Sequence, residues 1–174
     1  MTGDGDGDLL AGPAVTVAGS GPDAGPRTTL VLGFDRDRAS DAALGVAVDL
    51  ADRLRAHVAV VHVVNLNDFP VDPDAPDWED QARDALAEER ARVERALRGH
   101  RYGWSYEAHS GGPVEVLVQV AEDRDAYAIV VGRHGRGVSE GLRRLVDGSV
   151  SRRLLSTCGR PVLVVPAGTG PSPR

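Results

Sequence analysis

The chain has 174 residues, 41% of them hydrophobic, a formal net charge of −6 and a pI near 5.3. That length supports one sizeable core and argues against two, and the acidic balance disfavours nucleic acid or an anionic membrane as partner, since both reward a basic face. All 20 basic residues are arginine and Cys158 is the single cysteine, which excludes a phosphate-loop lysine, a Schiff-base lysine, an intramolecular disulfide and a multi-cysteine zinc site.

Residues 1–27 are rich in Gly, Asp, Pro and Ala without periodicity and read as a disordered arm. Asp4-Gly5-Asp6-Gly7-Asp8 imitates the start of a calcium loop, but no flanking helical pattern and no later bidentate glutamate accompany it, so a solvated tail is expected. The arm has no basic leader, Leu9-Leu10 is too short for a signal-peptide core, and the longest apolar runs are strand-length, far short of the ~18 residues of a membrane span. A cytoplasmic location is the default expectation.

From there apolar runs alternate with helical periodicity, the pattern of βαβ units and a parallel sheet in an α/β fold. Thr29 to Phe34 predicts a buried strand ending at Asp35, and Ser40 is placed to cap a helix carrying Ala43, Leu44, Ala47, Val48, Ala51 and Leu54 at intervals of three and four. His57 to Val64 predicts the second strand. After a Pro/Asp-rich loop at 65–77, Trp78, Ala82, Ala85, Leu86, Val93, Ala96 and Leu97 mark a long helix, with Glu88–Arg92 and Glu94–Arg98 as ion pairs on its wet face.

Gly103 to His109 alternates Trp104, Tyr106 and Ala108 with polar residues and predicts an edge strand. Gly112-Pro113 opens a helix with Val114, Val116, Leu117 and Val120, the proline sitting where its missing N–H costs nothing. Tyr127 to Val131 is the fourth strand, residues 146–157 the last helix and Pro161 to Val165 the fifth strand; 168–174 is a second tail. Cys158, at the end of the last helix, reads as a small packing residue.

Gly132-Arg133-His134-Gly135, directly after the fourth strand, is answered by Gly148-Ser149-Val150-Ser151 at a helix start. Glycine permits close backbone approach, and the N–H groups of a helix N-terminus attract phosphate, so two glycine-bearing turns predict a phosphate cradle. This arrangement resembles the nucleotide-binding signature of the universal stress protein family, and the likeness runs from about Thr28 to Pro166. The family pattern is Gly, two residues, Gly, nine residues, then Gly followed by Ser or Thr; here twelve residues separate Gly135 from Gly148.

The resemblance implies a domain over residues 28–167 with a three-layer flavodoxin-like, adenine nucleotide alpha hydrolase-like fold: a five-stranded parallel sheet in the order 3-2-1-4-5. It implies a ligand crevice between strands one and four, where chain growth reverses. It assigns Asp35 to the base and ribose of adenosine, Val63 to a backbone contact with adenine, and Gly132, Gly135, Gly148, Ser149 and Val150 to ribose and phosphates. Ser151 is a further hydroxyl donor and His134 a candidate phosphate contact, although an exposed loop histidine without a task accounts for it equally well. The implied ligand is ATP, with or without Mg2+, bound by a stress-response or regulatory module. A homodimer through Pro161 to Val165 is the implied assembly, and a family member that pairs without binding nucleotide is the alternative.

Where many members carry a Gly-Ser pair after the first strand, this chain has Arg36-Asp37, which reads either as a phosphate-reaching arginine or as a solvent-facing charged turn. Arg133, Arg136, Arg143 and Arg144 make the lengthened loop cationic, suited to screening a triphosphate or to simple solvation.

Competing chemistries fit less well. Gly137-Val138-Ser139-Glu140-Gly141 spells a nucleophile elbow, yet it lies inside a long polar stretch and no histidine follows it. Residues 33–38 lack the glycines of a dinucleotide fingerprint. His57, His62, His100 and His109 lack metal-ligand spacing, and His62 is expected to be packed or hydrogen-bonded. With no evident base or metal-anchored water, an enzyme is not expected; any ATP hydrolysis would be slow and incidental.

Overall fold

The computed structural model describes residues 28–35, 38–64, 78–133 and 149–170. Five strands alternate with helices: β1 (Thr28–Phe34), α1 (Arg38–Leu54), β2 (Ala56–Val64), α2 (Trp78–Leu97), β3 (Trp104–Ser110), α3 (Pro113–Asp123), β4 (Ala128–Arg133), α4 (Ser149–Thr157) and β5 (Val162–Pro166). The sheet order is β3-β2-β1-β4-β5 with every neighbouring pair parallel, which is the α/β architecture expected. The arm 1–27, the Arg36-Asp37 turn, the loop 65–77, residues 134–148 and the end of the tail lie outside the described residues.

Period-two alternation in strands buried on both faces divides the core. Leu30, Leu32, Phe34, Val58 and Val60 meet Ala43, Leu44, Ala47 and Ala51 of α1 and Val93 and Leu97 of α2. Val31, Ala59, Val61, Ile129 and Val131 meet Val114, Leu117, Val120 and Ala121 of α3 and Leu154 of α4. Cys158 and Val150 pack at the margin of this second layer, in keeping with a packing role for the cysteine. Complete burial of a Leu or Val side chain contributes about 1.5–3 kcal/mol, and a row of alanines on α1 lets that helix lie close against the sheet.

Several local expectations need correction. Ser40 does not cap α1: the helix begins at Arg38, and the buried Ser40 hydroxyl instead accepts the Asp35 N–H at 3.0 Å, so it pins the strand end to the helix rather than starting it. Ala96 is exposed while Glu89 is buried. Among the described residues, the exposed ion pairs of α2 are Arg90–Glu94 and, reaching across to Asp41 of α1 at 3.1 Å, Arg92–Asp41. The edge position expected of β3 holds, and two of the polar residues that alternate along it, Ser105 and Glu107, are buried.

Candidate functional site

The ladders around β1 are unequal, and that inequality makes a cleft. Pairing between β1 and β2 ends at Phe34–His62, whereas β2 and β3 remain paired as far as Val64–Ser110. On the other flank, β1 and β4 pair only to Gly33–Val131, whereas β4 and β5 continue to Arg133–Pro166. Val63 and Val64 on one side and Gly132 and Arg133 on the other therefore overhang the end of β1. Asp35, half-buried, lies at the base between them. Val63 is the first β2 residue beyond the last registered β1–β2 pair, so its backbone carbonyl side lies at the mouth of the cleft.

Gly132 departs from its expected place in a turn. It belongs to β4, in extended backbone rather than in a turn, and the strand runs on through Arg133. A Cβ built on it would lie 2.6 Å from the backbone carbon and oxygen of Ala39 and 2.9 Å from the Ser40 nitrogen. Glycine is therefore required for the close approach of β4 to the first turn of α1. That contact brings the α1 N-terminus, with its partial positive charge, to the cleft wall.

On the far wall, Ser149, Val150 and Ser151 form the first turn of α4. Helices in this topology run antiparallel to the strands, so their N-termini share the sheet's carboxyl end with the cleft. The Arg153–Glu115 pair, at 2.5 Å, joins the early turns of α4 and α3 at that end. Val150 turns its side chain into the core, leaving only its backbone for a ligand, and Ser151 is half-buried. Of the remaining expected contacts, His134, Gly135 and Gly148 lie outside the described residues.

A buried polar cluster that the sequence reading missed lies against the cleft. His62 Nδ1 is 2.8 Å from Glu89 Oε1 and 3.3 Å from the Phe34 carbonyl oxygen, and the Tyr106 hydroxyl donates to Glu89 Oε1 at 2.9 Å. A carbonyl oxygen only accepts, so Nδ1 carries a hydrogen. Burial presses the His62 pKa down, but the Glu89 hydrogen bond and charge, the Asp35 charge and the Phe34 carbonyl outweigh it and leave the pKa above the usual histidine value. The clue was there: Leu86, Glu89, Val93 and Leu97 follow helical spacing, so Glu89 occupies an apolar phase.

A second network sits on the opposite face of the sheet. His57 Nε2 lies 3.2 Å from Ser105 Oγ, Ser105 donates to Glu107, and Glu107 also takes His109 and Arg124. Burial, then the charges of Arg124 and His100, push the His57 pKa down to about 4 against a smaller opposing pull from Glu107. His100 is structural, tied by Nδ1 to Asp52 at 2.8 Å and by Nε2 to the Ala56 carbonyl at 2.9 Å.

With this geometry in view, residues 26–166 match the universal stress protein family. The chain belongs to that family. A universal stress protein of Mycolicibacterium smegmatis is 33% identical over 89% of this chain and 51% of its own length, so the chain spans about half of that relative. One from Methanocaldococcus jannaschii is 29% identical over 78% of this chain and 80% of its own. Among solved structures, a universal stress protein in complex with cAMP is 27% identical, covers 79% of this chain and 95% of its own, and superposes with a TM-score of 0.54.

Proposed function

We propose that this universal stress protein family member binds an adenine nucleotide, ATP foremost, in the cleft above β1, and acts as a regulatory stress-response module rather than an enzyme. The observation that carries this reading is the double overhang: Val63 and Gly132 flank the half-buried Asp35 at the point where strand order reverses. Asp35 accepts from ribose hydroxyls, the Val63 backbone meets adenine, and the first turn of α4 at Ser149, Val150 and Ser151 offers amides and hydroxyls to phosphate. Gly135, Gly148 and His134 complete the phosphate end, with Mg2+ accompanying a triphosphate. A relative of 27% identity crystallised with cAMP supports the class of ligand. The module spans residues 28–167 and is cytoplasmic; among the described residues no helix is long and apolar enough to cross a membrane.

It pairs as a homodimer through β5, the sheet edge beyond β4, where Leu163 is partly exposed and unpaired strand groups need covering. One observation favours the interaction-only alternative: Gly132 is explained by packing on Ala39 without any ligand. Calorimetric titration with ATP and magnesium separates the two readings. Binding in the range of about micromolar, −8 kcal/mol, is expected for the full chain and is lost in Asp35→Asn and Gly148→Val; a flat trace for folded wild type overturns the nucleotide reading. Light scattering checks the dimer, which a monomer mass at working concentration refutes.

A further inference from the structure

We propose that His62 is a protonation-dependent positioning residue for this cleft: as an imidazolium held between Glu89 of α2 and the Phe34 carbonyl of β1, it fixes the strand end that presents Asp35, and nucleotide affinity falls when the ring loses its proton. The proposal rests on the nucleotide reading and adds the regulation of that site by pH.

The geometry is compact. His62 and Phe34 are register partners, and the residues that follow them, Val63 and Asp35, are the two assigned to adenosine. The ring donates from Nδ1 to Glu89 at 2.8 Å and toward the Phe34 carbonyl at 3.3 Å, so one imidazole spans the helix and the strand end. Among the described residues, the groups that face it are Glu89 from α2, Asp35 from β1 and, through Glu89, Tyr106 from β3.

Charge explains why the proton matters. A protonated ring pairs with Glu89 at 2.8 Å and lies in the field of Asp35, whereas a neutral ring still hydrogen-bonds Glu89 but no longer offsets either charge. Glu89 is mid-helix and buried and has little room to adjust. Asp35 is half-buried at a strand end, so of the two carboxylates it is the one more open to water and the one whose position responds more to the loss of that charge. The raised proton affinity of His62 puts this change above the ordinary histidine value, with binding favoured on the acid side.

The test is nucleotide titration of the full chain from acidic to alkaline pH, with cAMP and ATP in parallel. The cAMP diester does not titrate there and the ATP terminal phosphate does, so a slope common to both belongs to the protein. Affinity for both is expected to fall about fivefold, the low end of site–site coupling, with a midpoint equal to that of the His62 ring followed by NMR. His62→Gln is expected to bind at the weak limit with a flat profile. Glu89→Gln, a second variant should the first not fold, is expected to lower the ring's midpoint and carry the binding midpoint with it. Binding without a shared slope in wild type, a slope that survives in His62→Gln, or a binding midpoint that ignores the Glu89→Gln shift overturns the proposal. Absence of binding at every pH removes the nucleotide reading instead, and the positioning then rests on the Asp35 backbone amide: a resonance that moves at the His62 midpoint sustains it, and one that does not overturns it.

Discussion

His57 and His62 stand on one strand, on opposite faces of the sheet, and their proton affinities are driven in opposite directions. Burial presses on both, and alone it would lower both. The difference is the nearest partner. His57 meets the Ser105 hydroxyl, with the Glu107 carboxylate beyond it already engaged by Arg124. His62 meets the Glu89 carboxylate directly and lies in the field of Asp35. A buried histidine is thus made neutral or cationic by whether a carboxylate reaches it before a guanidinium reaches the carboxylate.

The strongest way to break this contrast is Glu89→Leu. Removing one member of a buried, hydrogen-bonded charge pair costs about 3–5 kcal/mol, and the Tyr106 hydroxyl loses its acceptor at the same time. Denaturant unfolding is expected to show that loss. NMR titration is expected to show His62 turning into a second His57, its pKa falling below the ordinary histidine value because burial, the largest single influence, is then opposed only by the Asp35 charge and the Phe34 carbonyl. A His62 that keeps a raised pKa in the variant would mean that Asp35 alone supports the charge.

A smaller effect appears in the pH dependence of stability, where the two histidines act on opposite sides of the unfolded value near ~6.5. Between that value and about 4 the unfolded chain protonates His57 and the folded chain does not, so stability falls as pH drops through this window. For His62 the folded chain holds the proton more tightly; its contribution is complete below the unfolded value and is lost as pH rises through the raised folded pKa. His57→Asn is expected to flatten the acid limb by about 1–2 kcal/mol, discounted for the ring's partial exposure, and His62→Gln to flatten the alkaline limb. Chemical denaturation across the pH range reads both limbs, and an unchanged acid limb in His57→Asn would place that loss on the carboxylates instead.

The same contrast marks what the sequence made legible. Alternating runs such as Leu30-Val31-Leu32 and the spacing of Ala43, Ala47 and Ala51 reflect burial, a nearest-neighbour property that periodicity records, so β1 and α1 are legible within a residue or two. The sheet order came from the family likeness, since register between distant strands leaves no local trace. The site was half legible. Asp35, just past β1, and Val63, near the end of β2, are located by their apolar runs, but the unequal ladders that make a cleft there are a property of four pairings at once. Gly132 was assigned to a turn because its requirement, the backbone of Ala39, lies far away in the chain. Glu89 stands in the apolar phase of α2 although acidic residues are ordinarily solvated, whereas Glu107 stands in the polar phase of β3 and is buried because both faces of that strand are covered.

The smallest expected effect sharpens the comparison from the His57 side. Glu107→Gln removes a buried carboxylate, as the Glu89 variant does, but its guanidinium partner is already 31% exposed and can turn to water. The amide that replaces it still accepts one hydrogen bond, from Ser105 or Arg124, so the loss is expected to be about 1 kcal/mol rather than several. The effect on His57 has a definite sign. Glu107 is the group that pulls its pKa up, against Arg124, so the variant is expected to drive the ring further down, opposite to any relief from the lost hydrogen bond. NMR of the His57 ring reads this directly. An upward shift would show that the Arg124 charge acts on His57 only while Glu107 holds it in place, which would make the guanidinium's position, rather than the carboxylate's charge, the quantity that separates the two faces.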